Sequence, residues 1–310
     1  MLIRAGYEII FDLPNPTVVT TLLNVVPERR EALLRPDLLR AYANGKRVFD
    51  VGYFRDHMDN VRARISAPAG ELRLYNDFVI ADSGEHLTEP FDAYQHALDE
   101  LPGECLEFLL PSRYCEVDSL SQTAWQMFGQ TPLGWSRVRS VCNWVKSNIT
   151  FGYAYARNTR TALETFNERV GVCRDLNHLA ITFLRALNIP TRYATGYLGD
   201  IGIPINPAPM DFSACFEVYL GGRWHLWDAR HNEPRIGWIL LGRGRDAADC
   251  AITTSYGVAN LKKFQVWTDE VNSAAIPSLD GMSWETLHLP GGQTNGADFS
   301  GVTRDNQAFR

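Results

Sequence analysis

Two hydrophobic rhythms divide the chain. Up to about residue 115, short runs rich in β-branched and aromatic residues are punctuated by turn residues. Tyr7–Leu13 and Thr17–Val26 are separated by Pro14-Asn15-Pro16. Val48–Phe54 follows, then the cleanly alternating Asn60–Ser66 and, after Pro68-Ala69-Gly70, the half-alternating Glu71–Ile80. Alternation with period two buries one face of a strand, and turn signals at regular spacing predict an antiparallel β-sandwich. No catalytic residue types gather in this region, so residues 1–115 read as an accessory β-sandwich domain.

From about residue 116 the spacing becomes helical. Leu120, Ala124, Met127 and Phe128 share a face, and Gly129 with Pro132 marks a stop. A second helix is expected over 134–147, with Val138, Val141, Cys142 and Val145 on one side, and a short one over Thr161–Phe166. The strongest helical pattern places Leu176, Leu179, Ala180, Phe183, Leu184 and Leu187 on one stripe, headed by Gly171 and Cys173. Next come a strand over Ile189–Leu198, a Pro/Gly-rich loop over Gly199–Met210, and two strands, Ala214–Leu220 and Arg223–Asp228. Gly221-Gly222 between them is a two-residue hairpin signal. Ile236–Leu241 and Leu261–Thr268 are further strand candidates, and 291–310 reads as a flexible polar tail. Helices packed on an antiparallel sheet make residues 116–290 an α+β core.

The chemistry centres on Cys173. A cysteine in the first turn of a helix faces unpaired N–H groups and the positive end of the dipole, both of which favour thiolate. The bland alternative is a buried space-filler, the common fate of a free cysteine. The six cysteines are scattered without a C-x-x-C pair, as expected of reduced thiols, which makes a cytoplasmic location the expectation. A net charge of −6 with no long basic run argues against nucleic acid or an anionic membrane as main partner. The first residues show no signal-peptide pattern, and no stretch has the apolar length of a membrane span.

The segments Thr161-Ala162-Leu163-Glu164, Gly171-Val172-Cys173-Arg174-Asp175, Leu187–Tyr193, Gly196-Tyr197-Leu198 and Asp228-Ala229-Arg230-His231-Asn232 resemble the bacterial transglutaminase-like superfamily of papain-related cysteine acyltransferases, amidases and proteases. The strands before them, with Val48–Val51 and Asn60–Arg64, resemble the N-terminal β domain of one bacterial branch. The resemblance implies a papain/transglutaminase-like core in which the cysteine helix packs on an antiparallel sheet. It also implies a Cys-His-Asp triad and a peptide, amide or acyl-thioester substrate, with no cofactor and no metal. Carried over by motif, Cys173 is the nucleophile, its own N–H an oxyanion donor, and Asp228 the orienting carboxylate. The family's His-Ala-Trp pattern falls on Ser213-Ala214-Cys215, so Ser213 occupies the histidine position.

A serine hydroxyl is no base near neutral pH. Among the histidines, His231, three residues after Asp228, is the candidate substitute base. His225 is expected to point away from Asp228 on its strand, and His178 to pack structurally. Tyr153, Tyr155 and Cys215 are candidate pocket residues. A metal site from Cys173, His178, Cys215 and His225 lacks ligand spacing. A Cys173–Cys215 redox pair and a Cys215 that merely fills the tryptophan's space are both open. Three functions follow. One is acyl transfer through a Cys173 thioester, with amide formation or exchange favoured over hydrolysis. The others are a pseudoenzyme binding through the retained cleft, and a different reaction using Cys173 and Asp228.

Overall fold

The computed structural model describes residues 1–272; the tail read at 291–310 lies outside the described residues. Eight strands open the chain: β1 (Leu2–Leu13), β2 (Thr17–Thr21), β3 (Leu33–Arg35), β4 (Arg40–Ala43), β5 (Lys46–Val48), β6 (Val51–Arg55), β7 (Val61–Ala67) and β8 (Gly70–Ala81). Helices then alternate with two short strands: α1 (Gly103–Leu106), α2 (Val117–Phe128), α3 (Trp135–Asn148), β9 (Thr150–Phe151), α4 (Ala162–Glu168), β10 (Val170–Gly171) and α5 (Cys173–Ala186). The last strands are β11 (Thr191–Tyr197), β12 (Ser213–Leu220), β13 (Arg223–Trp227), β14 (Ile239–Gly244), β15 (Thr253–Ser255) and β16 (Asn260–Val271).

The expected β-sandwich and α+β core are both present. One N-terminal sheet runs β16-β1-β8-β4-β5, with β3 also on β8; the other runs β15-β2-β7-β6. Along β7 the residues from Val61 to Ala67 alternate buried with exposed or half-buried positions, the period-two pattern of a sheet with one face on the core. Ile3, Tyr7, Ile9, Ile65, Leu74 and Phe78 fill the space beneath. Residues 253–271, grouped with the core on sequence alone, pair instead with the sandwich: Thr253 lies opposite Thr21, and Val271 opposite Leu2. The run expected to be strand through Val26 leaves the sheet at Thr21. Its remainder bridges the two halves, with Leu22 N–H bonded to Ile252 O and Val26 N–H to Leu240 O.

In the core, β13-β12-β11-β14 form an antiparallel sheet against which α5 packs. Every residue from Asp175 to Ala186 is buried. A helix buried all round must satisfy its polar side chains internally. Arg185 does so on backbone carbonyls, with Nε to Thr191 O at 2.8 Å and Nη1 to Leu110 O at 3.0 Å, while Thr182 Oγ donates to His178 O at 2.7 Å. A fixed, fully packed helix is therefore what presents Cys173.

Candidate active site

Two local devices set the start of α5. The preceding α4 begins with a capping box, Thr161 Oγ accepting from Glu164 N–H at 3.3 Å and Glu164 accepting from Thr161 N–H at 2.9 Å. Asp175 performs the second half of that arrangement on α5, accepting from Val172 N–H at 3.0 Å while Arg160 and Arg174 contact its two oxygens at 3.3 and 3.2 Å. A side chain at Gly171 would meet Asp175 Cβ at 2.7 Å, so only glycine lets this carboxylate close over the helix start. Cys173 follows at the first helical position, half-buried.

One amide gathers the site. Asn177, one turn beyond Cys173 and wholly buried, donates from Nδ2 to Cys173 O at 2.9 Å, Ala214 O at 3.0 Å and Asp228 Oδ1 at 2.9 Å. Its Oδ1 accepts from Ala229 N–H at 3.0 Å. The cysteine helix, the start of β12 and the end of β13 thus meet on a single side chain. Asn177 is a site residue that the sequence reading passed over. Its signal is a polar residue one turn after the cysteine, on the helix that carries it.

Asp228 lies at the most crowded corner. It accepts from Arg230 N–H at 2.8 Å, and its Oδ2 is 2.5 Å from His231 Nδ1. Burial favours the neutral acid, but the bond and charge of His231, the Asn177 amide and the Arg230 N–H outweigh it, holding the carboxyl below its usual range. The structure therefore brings His231 to Asp228, three residues apart at a strand end.

Cys173 itself departs from expectation. Burial pushes its thiol up, against the pull of the Arg230 charge and of a hydrogen bond from Ala214 N–H; Asp211 and Asp228 push in the same direction as burial. Desolvation outweighs Arg230 and the Ala214 N–H, which favours the thiol over the thiolate. Asp211, four residues before Cys215, was not singled out in the sequence. Burial raises its carboxyl to about 6 despite a 2.7 Å bond from Phe212 N–H and the attraction of Arg230. Tyr153 closes the group: burial and the nearby Cys173 and Asp211 push its hydroxyl up to about 12, while Arg230 hydrogen-bonds to it and pulls the other way. Arg230 sits over the Phe151 ring, 3.9 Å from its centroid. Cys173, Asp211, Arg230 and Tyr153 form one electrostatic cluster, and the signal for Arg230 was its place in the Asp-Ala-Arg-His-Asn run.

Ser213 opens β12 opposite Gly196, buried, its carbonyl accepting from Thr195 Oγ at 3.3 Å. Strand alternation sends Ala214 toward α5 and Cys215 into the other core, where its thiol donates to Ala194 O at 3.6 Å. Cys215 is completely buried there, on the face away from the cysteine helix, which removes it from the pocket and from a redox pair with Cys173. Tyr155 is exposed beside Gly152 and does not join Tyr153 in the cluster. His178 is buried, stacked on Tyr114 at 5.1 Å, and accepts from Ala247 N–H at Nε2. Burial drives its pKa well down, which leaves it a neutral structural ring. His225 Nε2 contacts Leu220 O within its own hairpin. Among the described residues no group of three or more His, Cys, Asp or Glu is placed to hold a metal, and no helix is long and apolar enough to cross a membrane.

Comparison with known proteins places this geometry. The profile of the transglutaminase-like superfamily matches residues 122–229, from α2 to just past Asp228. A solved structure named as a candidate cysteine protease from Cytophaga hutchinsonii superposes with a TM-score of 0.72 at 27% identity, over 88% of this chain and 91% of that one. An uncharacterised protein of Mycobacterium leprae is 24% identical over 147 residues, 47% of this chain; the chain spans about half the length of that curated relative, 53%. The periplasmic domain of TgpA from Pseudomonas aeruginosa aligns at 15% identity over 73% of this chain and 88% of that one, but its TM-score of 0.33 is too low to carry an argument.

Proposed function

The core of this chain belongs to the transglutaminase-like superfamily of cysteine enzymes, and on that premise we propose that it catalyses acyl transfer through a thioester on Cys173. The observation that carries this reading is the Asn177 amide, which holds the cysteine's helix turn, the Ala214 carbonyl and the Asp228 carboxylate together. Such a clamp holds the backbone that carries Cys173 against its neighbours, the pre-positioning that an acyl-transfer nucleophile draws on.

In the proposed chemistry Asp211 takes the place left by the family's histidine. Its pKa near 6 leaves it mostly ionised at neutral pH yet more basic than an ordinary carboxylate. As the sulfur attacks a substrate carbonyl, the thiol proton passes to the Asp211 carboxylate, and the C–S bond forms while the carbonyl π pair moves onto oxygen. Arg230 offsets the developing negative charge on the sulfur, and Cys173 N–H receives the oxyanion. When the tetrahedral species collapses, the C–N or C–S bond to the leaving group breaks and Asp211 returns the proton to it. An incoming amine then attacks the thioester, yields its proton to Asp211, and leaves as amide while the thiol is regenerated. An amine that brings its own proton and an activated donor together favour amide formation or exchange over hydrolysis. The Asp228–His231 pair supports the loop that carries Arg230.

The test uses the benzyl thioester of an acetylated dipeptide with a primary amine acceptor, followed by mass spectrometry. Amide product in excess over free acid, and a covalent acyl adduct on the Cys173 peptide, are expected. Unchanged turnover in Cys173→Ala overturns the proposal. A second reading, a cleft that binds peptides without turnover, is favoured by the raised thiol and by Ser213 in the histidine position; it predicts peptide binding that survives Cys173→Ala with no adduct.

A further inference from the structure

The segment that joins the sandwich to the core carries a surface of its own. From Glu89 to Ser112 there are six acidic residues and no lysine or arginine. Phe91, Tyr94, Leu98, Leu106 and Leu110 stand exposed along the same stretch, Phe91 at 72%. Single exposed apolar residues are ordinary, but such a concentration marks a place of contact. The backbone beneath them is held in place. Trp135 N–H bonds to Ala93 O at 3.2 Å and Gly221 N–H to Tyr94 O at 2.9 Å, while Gln95 Nε2 donates to Leu187 O and His96 Nε2 accepts from Gly222 N–H, both at 2.9 Å. Leu187 and Gly221 follow the far ends of α5 and β12, so the surface lies about 20 Å from Cys173, one helix length away.

Aromatic rings continue the surface onto the β12–β13 hairpin. Tyr94 meets His96 at 4.5 Å between centroids, His96 meets Tyr219 at 5.4 Å, and Tyr219 meets Trp224 at 5.3 Å. The last three are half-buried, so part of each ring reaches solvent. Glu104 and Tyr94 both act electrostatically on the Tyr219 hydroxyl, and Glu100 lies 4.0 Å from His96. Asp92, Asp99, Glu104 and Glu107 have no cation within ion-pair distance among the described residues. Of the neighbouring cations, Arg192 lies over Trp224 at 4.1 Å and is paired with buried Glu217 at 2.6 Å, Arg245 is paired with Asp249 at 3.0 Å, and Arg223 stands exposed at the hairpin.

Unpaired carboxylates beside aromatic rings suit one side chain above others, because a guanidinium both pairs with carboxylates and stacks on rings. Arg192 on Trp224 makes that contact within the chain. A second copy of the surface would set acid against acid. Residues 273–310 carry four acidic residues against two arginines and no lysine, so they do not complement it either. We propose that this surface docks a basic, arginine-containing segment of a partner protein, its guanidinium groups against the Tyr94 and Tyr219 rings and beside Asp99 and Glu104, its apolar side chains against Leu98 and Leu106. The site does not rest on the acyl-transfer reading, since it lies at the opposite end of α5 from Cys173.

The experiment titrates the full chain into a fluorescein-labelled peptide of alternating arginine and leucine, read by fluorescence anisotropy. Saturable binding is expected, severalfold weaker with lysine in place of arginine, about tenfold weaker with serine in place of leucine, and absent with glutamate in place of arginine. Asp99→Lys combined with Glu104→Lys is expected to weaken binding about tenfold or more, and Tyr94→Ala severalfold. Glu31→Lys combined with Glu71→Lys makes the same change of charge at exposed positions of the sandwich and is expected to leave binding in place. No binding of the arginine peptide at about 0.5 mM protein overturns the proposal. Equal weakening by the two double variants overturns it as well, because attraction to any acidic protein would then suffice. A dimer in sedimentation that Asp99→Lys with Glu104→Lys dissolves also overturns it, by giving the surface to a second copy of the chain.

Discussion

Two carboxylates flank the same cysteine under opposite regimes. Asp228 sits among donors — His231, the Asn177 amide and the Arg230 N–H — and is held below its usual range. Asp211, just ahead of β12 and half-buried, is also desolvated but has chiefly the Phe212 N–H and the Arg230 charge for company, and rises to about 6. Burial is common to both; the number of fixed donors separates them. A carboxylate saturated by donors is a structural anchor, whereas one left short of them retains an appetite for a proton. On that contrast rests the proposal that Asp228 holds the site together while Asp211 takes the proton.

The largest expected effect breaks the shared premise: Cys173→Ala should reduce thioester aminolysis to background in a steady-state assay. Next, Asp211→Asn should lower kcat/KM about a hundredfold or more while Asp228 and the fold stay intact. In the parent, kcat/KM should rise with pH and level off above about 6, and this limb should vanish in Asp211→Asn.

Stability should move with opposite signs at the two sites. Between the ordinary carboxylate value and about 6, folded Asp211 holds a proton that the unfolded chain has released, so its contribution falls as pH rises through that window. Removing the buried charge with Asp211→Asn should therefore raise stability at pH 7 by about 1–2 kcal/mol, a few degrees in Tm. Asp228 has a depressed pKa, so its contribution is present above the unfolded value and is lost as pH falls through the folded one. Asp228→Asn should cost about 2 kcal/mol or more, because with the amide oxygen kept at Oδ1 for the Asn177 amide and the Arg230 N–H, the new NH2 replaces the Oδ2 that His231 N–H and Nδ1 contact. Denaturant melts at pH 7 give both signs at once, and like signs would dissolve the contrast. The smallest effect is His231→Gln, expected to cost activity about tenfold at most in the aminolysis assay; a loss matching that of Asp211→Asn would transfer the base role to His231.

Much of this was legible in the chain and some could not have been. The apolar stripe from Leu176 to Leu187, the Gly221-Gly222 hairpin and the alternation of Asn60–Ser66 are local patterns, and each forms the expected element. The motif around Cys173 and Asp228 identified the superfamily. What stayed hidden depends on distance in sequence. Nothing near Leu261 reveals that its strand pairs with β1, because register across some 260 residues leaves no local trace. Asp211 follows a Pro/Gly-rich loop that looks exposed, and its desolvation depends on neighbours far away in sequence. The same burial reversed the expectation for the Cys173 thiol, since a helix start is visible in sequence while the depth at which it lies is not.

The pairing of β1 with β16 has a kinetic consequence. In the finished sheet β16 covers the flank of β1 that β8 leaves open, along nearly the whole of a 12-residue strand. During synthesis β8 is available early, whereas β16 emerges only after the entire α+β core. Throughout that interval β1 offers a long row of unpaired N–H and C=O groups beside Ile3, Tyr7 and Ile9, the kind of edge on which nascent chains pair with one another. The rate at which the core folds and delivers β16 thus sets how long each newly made molecule is open to aggregation.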